Sequence, residues 1–266
     1  MTATFTTEQA CLNCRTERTG PYCQACGQRA VDPGALSIGR LLTTFTQELP
    51  TLDFKTLRSL PGLASPGFLT REYLEGRQRP YLNPLKVYFL CAATFFLAAP
   101  IAGFNFEAFM HQDNRGVFRQ IVEARMKARQ MDEALFAERF NLHFQTVYTL
   151  GVSVSIASAT LLLALSYRRQ RRPFGAHAVF GLHYVGFLYV AAIAIGALSR
   201  ALTLRPGGTL LLAYVLIGPY LVIALRRVYA QPIGRTLAKA LALASVGFIV
   251  DGTVNLAALA LTIWLV

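Results

Sequence analysis

Val147–Ser199 reads VYTLGVSVSIASATLLLALSYRRQRRPFGAHAVFGLHYVGFLYVAAIAIGALS. Two long apolar runs flank a basic hinge, Arg168-Arg169-Gln170-Arg171-Arg172. A helix needs about 20 apolar residues, at ~1.5 Å each, to cross the hydrocarbon core of a bilayer. The quoted stretch therefore predicts two spans, about 147–166 and 178–199, turning at a charged surface. The same reading finds three more spans: about 84–104, 209–225 and 240–266. One such run could be a buried helix of a water-soluble protein. Five in 266 residues leave too little amphipathic sequence to shield them from water. Composition agrees: 54% of residues are apolar, only 15% are charged, and mean hydropathy is +0.41. Soluble domains carry roughly 25% charged residues. The fold class expected is an all-α integral membrane protein of about five transmembrane helices.

The net charge of +12 is gathered at the ends of the apolar runs. No basic, aromatic-interleaved soluble face remains for nucleic acid, so that class of partner is excluded and the bilayer is the expected one. Loops rich in Lys and Arg stay in the cytoplasm. With the N-terminus inside, the inner segments hold ten Lys and Arg in 1–86, four in 168–172 and four in 226–239. The outer segments hold six in 105–146, offset by six acids, and two in 200–208. Residues 1–30 have no apolar core of the kind found in cleaved secretory signals. The reading is a bacterial-type inner (cytoplasmic) membrane protein, N-terminus cytoplasmic. Within the outer loop, 105–146, apolar residues at 117, 118, 121, 122, 135, 136 and 140 suggest an amphipathic helix or a solvated helical hairpin.

The aqueous leading end has its own signature. Cys11-Leu-Asn-Cys14 and Cys23-Gln-Ala-Cys26 form C-x2-C-x8-C-x2-C. Two such pairs place four thiolates where a tetrahedral Zn²⁺ needs them, with Gly20, Pro21 and Gly27 supplying turns. Metal binding would supply most of the folding free energy of so small a unit. Two disulfides, or an iron or redox site, are the alternatives; the reducing cytoplasm disfavours the first. Four cysteine ligands leave no open coordination position, which points to a structural Zn²⁺ and a docking role. Cys91 lies within the first span and reads as a small buried apolar residue. The chain divides into a zinc knuckle (1–35), cytoplasmic interfacial helices (36–83) and a transmembrane helical domain (84–266).

In the middle segment, Ser37–Leu49 reads as a short amphipathic helix stopped at Pro50. Asp53 caps a second helix running to Leu60 and stopped by Pro61. Pro66 starts a third, through Tyr73 to Glu75, ended by Gly76. Arg77, Arg79 and Lys86 lie just before the first span, with Tyr73, Tyr81 and Tyr88 nearby. They read as interface anchors. A sharper reading makes Arg77, Arg79 and the Gly76 turn a headgroup or phosphate pocket.

These residues carry a resemblance. Cys26-Gly27-Gln28, Thr56-Leu57-Arg58, Pro66-Gly67, Glu72-Tyr73-Leu74, Gly76-Arg77, Arg79, Tyr81-Leu82 and Pro84 resemble the bacterial domain of unknown function 3667 family, over roughly residues 10–95. The resemblance implies a zinc-ribbon-like knuckle joined to a multi-pass membrane domain. It implies no activity and carries over no catalytic residue.

Polar groups within the spans are costly and suggest function. Asp251 is the one acid in a predicted span. Asn255 follows four residues later on the same helical face, and Gly247 and Gly252 permit close helix approach. His183 lies early in the third span. Ser153, Ser155, Ser158 and Thr160 make the second hydroxyl-rich, and Gly218-Pro219 interrupts the fourth. Asp251, Asn255, His183 and that break are expected to line one polar cavity. The chain has no phosphate-binding Gly-rich loop, no G-x-S-x-G, no H-E-x-x-H and no paired intramembrane carboxylates. It also shows no internal repeat of the transporter kind. The reading is a non-enzymatic membrane protein with a zinc-stabilised docking module for a cytoplasmic protein, with self-association allowed. A transporter or lipid/ion-handling permease using Asp251, and an intramembrane enzyme on a lipid substrate, are the alternatives.

Overall fold

The computed structural model describes residues 9–32, 36–47, 54–102, 106–112 and 116–266. Two short strands, β1 (Gln9–Ala10) and β2 (Glu17–Arg18), pair antiparallel with Gln9 opposite Arg18 and Ala10 opposite Glu17. Ten helices follow among the described residues. Three short ones precede the membrane domain: α1 (Ile38–Gln47), α2 (Phe54–Ala64) and α3 (Phe68–Leu74). Then come α4 (Pro84–Ala102), α5 (Phe106–Gln112), α6 (Val117–Arg129) and α7 (Glu133–Ser166). Last are α8 (Phe174–Ala201), α9 (Pro206–Tyr229) and α10 (Ile233–Leu265).

The last four helices are each long and apolar enough to cross a membrane. The fifth apolar helix, α4, is shorter, with an apolar stretch at Pro84–Ala98. The surface agrees with a hydrocarbon surround: Leu97, Phe248, Leu256 and Leu150 are each about two-thirds or more exposed. α8 is the central post. α4, α7 and α9 pack around it, and α10 runs along α7 and touches α9. Small residues permit the closest approaches. Gly181 of α8 faces the Thr160 hydroxyl of α7, and Gly151 of α7 faces Val254 of α10. The hydroxyls of Thr149, Ser153, Ser158 and Thr160 donate to carbonyls three or four residues back. These four hydroxyls are thus satisfied within their own helix.

At 34 residues α7 is about 51 Å long, well beyond the ~30 Å hydrocarbon core. Its first turns form one side of a cap with α5 and α6, and Phe136, Phe140 and Phe144 stack along one face. The outer loop is therefore a helical hairpin, not one helix over 117–140. α6 ends where Gln130 turns left-handed (φ 51°), and Asp132 caps α7 by accepting from the Leu135 N–H at 2.8 Å. The cap closes on the end of α10, through Ile263, Val266 and a bond from Arg125 to the Trp264 carbonyl.

Two prolines behave differently from the sequence expectation. Pro61 lies inside α2, which continues to Ala64, and Pro219 lies inside a continuous α9. A proline removes one N–H and frees one carbonyl four residues back, but a helix held by tertiary contacts survives that loss. Here Leu63 is buried and its carbonyl accepts from the Tyr220 hydroxyl at 2.7 Å. The expected end of the first helix at Leu49–Pro50, the Asp53 cap and Phe104 lie outside the described residues.

The short helices dock on the bundle by close backbone contact. Gly67 precedes α3 with φ 69°, and a Cβ there would stand 2.8 Å from the Ala224 carbonyl oxygen of α9. Arg227 donates to the Ser65 hydroxyl at 2.8 Å, and Gly175 of α8 faces the Leu36 carbonyl. Asn83 caps α4, its side chain accepting from the Leu85 N–H at 2.9 Å, with Pro84 in the favoured first position. These contacts put the pre-membrane helices, the 168–172 hinge and the α9–α10 turn at one end of the bundle. The α5–α6 cap lies at the other.

Candidate metal centre

Each Cys-x-x-Cys pair closes a tight turn by the same two bonds. The Cys11 N–H donates to the Thr16 carbonyl at 2.8 Å, and the Cys23 N–H to the Gln28 carbonyl at 2.8 Å. The Arg15 and Gly27 N–H groups donate back to the Cys11 and Cys23 carbonyls at 2.7 and 2.8 Å. The residue after each second cysteine is left-handed: Arg15 at φ 65° and Gly27 at φ 69°. β1–β2 extends the first turn, and a bridge between Tyr22 and Arg29 extends the second.

The two turns bring all four Sγ atoms within 4.8 Å of one another. Cys11 and Cys26 are 3.7 Å apart, and Cys14 and Cys23 are 3.4 Å apart. A disulfide needs about 2.05 Å, so the cysteines are free. Tetrahedral thiolates at ~2.3 Å from a metal stand about 3.8 Å apart. The donor set thus fits a tetrahedral metal ion with no solvent position. Cys11 and Cys23 are buried, Cys26 is half-buried and Cys14 is exposed. The Thr16 hydroxyl and N–H hold the Cys14 thiol down to about 6, whereas burial pushes Cys26 up to about 11. Cys91 is buried in α4 beside Gly186 of α8, away from this cluster.

The module is seated on the turn after α3. Gln28 is buried and makes three bonds there. Its Nε2 donates to the Gly76 carbonyl at 2.7 Å, and its Oε1 accepts the N–H groups of Gln78 and Arg79 at 3.1 and 2.9 Å. Arg79 Nε donates to the Cys26 carbonyl at 2.9 Å. Gly76, at φ 83°, has no Cβ and so leaves room for Leu12. Arg77 pairs with Glu72 (Nε to Oε2, 2.6 Å) and with Glu75. Arg71 holds the Glu75 carboxyl below its usual range, with Arg77 adding to the effect. Two of the expected headgroup contacts, Arg77 and Arg79, therefore have protein partners in this structure. Lys86 sits half-buried near the start of α4.

Gln28 escaped the site assignment read from sequence. Its signal was present, since it directly follows Cys26-Gly27 and an amide is the side chain that can both donate and accept. Its partners lie some 50 residues away, so spacing alone could not name them.

The intramembrane polar residues do not form one group. Asp251 and Asn255 share a face of α10, where the Asn255 amide donates to the Asp251 carbonyl at 2.7 Å, and both are exposed. Asp251 is within electrostatic reach of Tyr148, Tyr184 and Tyr189. His183 is buried elsewhere, its Nδ1 3.0 Å from the Thr70 hydroxyl, where it ties α8 to α3. Gly218 and Pro219 are exposed on α9.

No curated protein and no solved structure matches this chain. Residues 53–96 match the model of a family described as a protein of unknown function (DUF3667). That match is narrower than the stretch over which individual residues resemble the family, and the four cysteines fall outside it. It runs through α2, α3, Gly76, Arg77 and Arg79 into α4. The chain thus resembles the DUF3667 family through the segment on which its cysteine module is seated.

Proposed function

We propose that this protein is a non-enzymatic multi-pass membrane protein whose four cysteines hold a structural Zn²⁺. On this reading the metal stiffens a docking module for a protein partner at the cytoplasmic face of the inner membrane. The observation that carries it is the Gln28 seat. Three hydrogen bonds from one buried side chain join the module to the pre-membrane turn. A unit seated this way holds a fixed orientation, as a docking surface needs, whereas a tethered regulatory domain needs slack. The metal's contribution is folding: the four thiolates close the two turns that a hydrophobic core this small cannot hold. Elemental analysis of the full-length protein purified under reducing conditions should find one zinc per chain; iron in its place overturns the zinc assignment. A photocrosslinking residue replacing Tyr22, an exposed aromatic of the module, should capture one soluble protein in cells. The capture should vanish in Cys11→Ser/Cys23→Ser at equal membrane abundance. Capture that persists in that variant overturns the docking role.

A second reading has one observation behind it. Asp251 is an acid exposed on α10, an apolar helix long enough to cross a membrane, which suits proton, ion or lipid handling. Asp251→Asn should then abolish a transport or growth phenotype without lowering abundance; an unchanged phenotype removes this reading.

A further inference from the structure

Between the last turn of α7, the turn at Arg168–Gln170 and the first two turns of α10 lies a cleft of about 470 Å³. Its cations are Arg168, Arg169, Arg235 and Lys239, and among the described residues no acid lines it. Among the described residues none of its three arginines has an ion-pair partner. Lys239 is held in place: its Nζ donates to the Ser166 carbonyl at 2.6 Å and lies 3.8 Å over the Tyr167 ring. Arg169 and Arg235 both act electrostatically on it. Like charges gathered this closely repel unless an anion joins them.

The wall adds directional groups. Tyr167 is 1% exposed, its ring stacked on Tyr229 at 3.7 Å on one face and covered by Lys239 on the other. Its hydroxyl has no hydrogen-bond partner among the described residues. Gln170 has a fixed amide orientation, because its Nε2 donates to the Tyr229 carbonyl at 2.8 Å. Its Oε1 is buried and has no donor among the described residues. The cleft therefore offers four cations to an anion's oxygens, and just behind its wall stand one unpartnered O–H and two unpartnered amide oxygens, Gln170 Oε1 and Gln231 Oε1, which a ligand that parts the wall would engage.

We propose that this cleft binds the phosphate of an anionic glycerophospholipid whose headgroup carries a free hydroxyl, the phosphatidylglycerol class. A free phosphate shares the charge, but two features favour the lipid. Leu165 forms an apolar edge of the cleft. The cleft also lies at the end of α7 and the start of α10, two helices long and apolar enough to cross a membrane, and basic residues at the ends of such helices meet lipid phosphates. This site is separate from the cysteine module and does not depend on its role.

The test uses the full-length protein in detergent, following its thermal unfolding midpoint as lipid is added. Phosphatidylglycerol should raise the midpoint; phosphatidylcholine and inorganic phosphate should not. Apparent affinity for phosphatidylglycerol should fall about tenfold or more in Arg168→Gln/Arg169→Gln/Arg235→Gln. Tyr167→Phe, which keeps the ring stack, should weaken it severalfold. A charge-matched control at the opposite end, Lys127→Gln/Arg129→Gln/Arg139→Gln, should bind like the wild type. Should the triple arginine variant fail to fold, Tyr167→Phe still decides. Equal binding by Tyr167→Phe and wild type overturns the site. An equal shift with phosphatidylcholine overturns the selectivity, and an equal shift with inorganic phosphate overturns the lipid assignment in favour of a soluble ligand.

Discussion

Arg15 and Gly27 occupy equivalent places in the two cysteine turns, both left-handed, yet only one is glycine. A side chain in that region costs roughly 1 kcal/mol. Arg15→Gly should therefore stabilise the metal-bound module by about that amount, and Gly27→Ala should weaken it comparably. Competition against a chelator in the full-length protein reads both. The thiols set a pH dependence as well. Metal requires thiolates, so it must displace the proton from Cys26, whose thiol is pushed up to about 11, at any physiological pH. Below about 6 Cys14 takes up a proton too. Metal affinity should fall as pH falls, and fall more steeply below about pH 6. A chelation series across pH that stays flat there would contradict the site. Gln28→Ala separates seat from site. The four ligands remain, so metal content should hold, while the loss of three hydrogen bonds, one buried and two part-buried, costs about 2–4 kcal/mol of docking. The expected readout is normal metal content with faster proteolysis between the module and α3.

Elements were readable in the sequence where one physical rule acts alone. The apolar runs announced their helices because hydrocarbon demands backbone bonds satisfied within the segment. The two Cys-x-x-Cys spacings announced the cluster because two thiolates per tight turn is a local geometry. Reading failed where a distant contact overrules a local signal. Pro61 and Pro219 looked like breaks, but packing carries α2 and α9 through them. The supposed cavity of Asp251, Asn255 and His183 rested on depth along separate helices, and depth does not say which way a side chain faces. His183 turned inward to Thr70 while Asp251 stayed on the outer surface of α10. Glycine permits a direct test of contact against conformation. Gly67 and Gly116 share φ 69°, but Gly67 faces the α9 backbone and Gly116 faces open space. Gly116→Ala should cost about 1 kcal/mol from strain alone. Gly67→Ala should cost at least about 2 kcal/mol more, because a rigid backbone must move. Thermal unfolding of both variants in the same detergent gives the difference; equal midpoints would mean that α3 is not clamped against α9.

The ends of the bundle have opposite characters. Pre-membrane helices, the 168–172 hinge and the α9–α10 turn meet at one end, and the α5–α6 cap with the tip of α10 meets at the other. This gathering was not imposed by charge, because folding brought Leu63 to Tyr220, Ser65 to Arg227 and Arg172 to the Val228 carbonyl through packing and hydrogen bonds. The distribution of Lys and Arg nevertheless sorts the same segments the same way, eighteen on the module's end and eight elsewhere. Two independent physical constraints, insertion electrostatics and side-chain packing, thus divide the chain at the same points. The consequence is a labelling pattern. In a chain with Cys91 replaced, cysteines introduced one at a time at Arg169 and at Lys127, each read as its own labelled peptide apart from the four module cysteines, should react with a membrane-impermeant thiol reagent from opposite sides of sealed vesicles. By the positive-inside bias, Arg169→Cys should be shielded in intact cells and Lys127→Cys labelled. Labelling of both from one side would break the link between the bundle's two ends and the two faces of the membrane. The assignment of the α5–α6 cap to the membrane face opposite the cleft and the cysteine module would then fall with it.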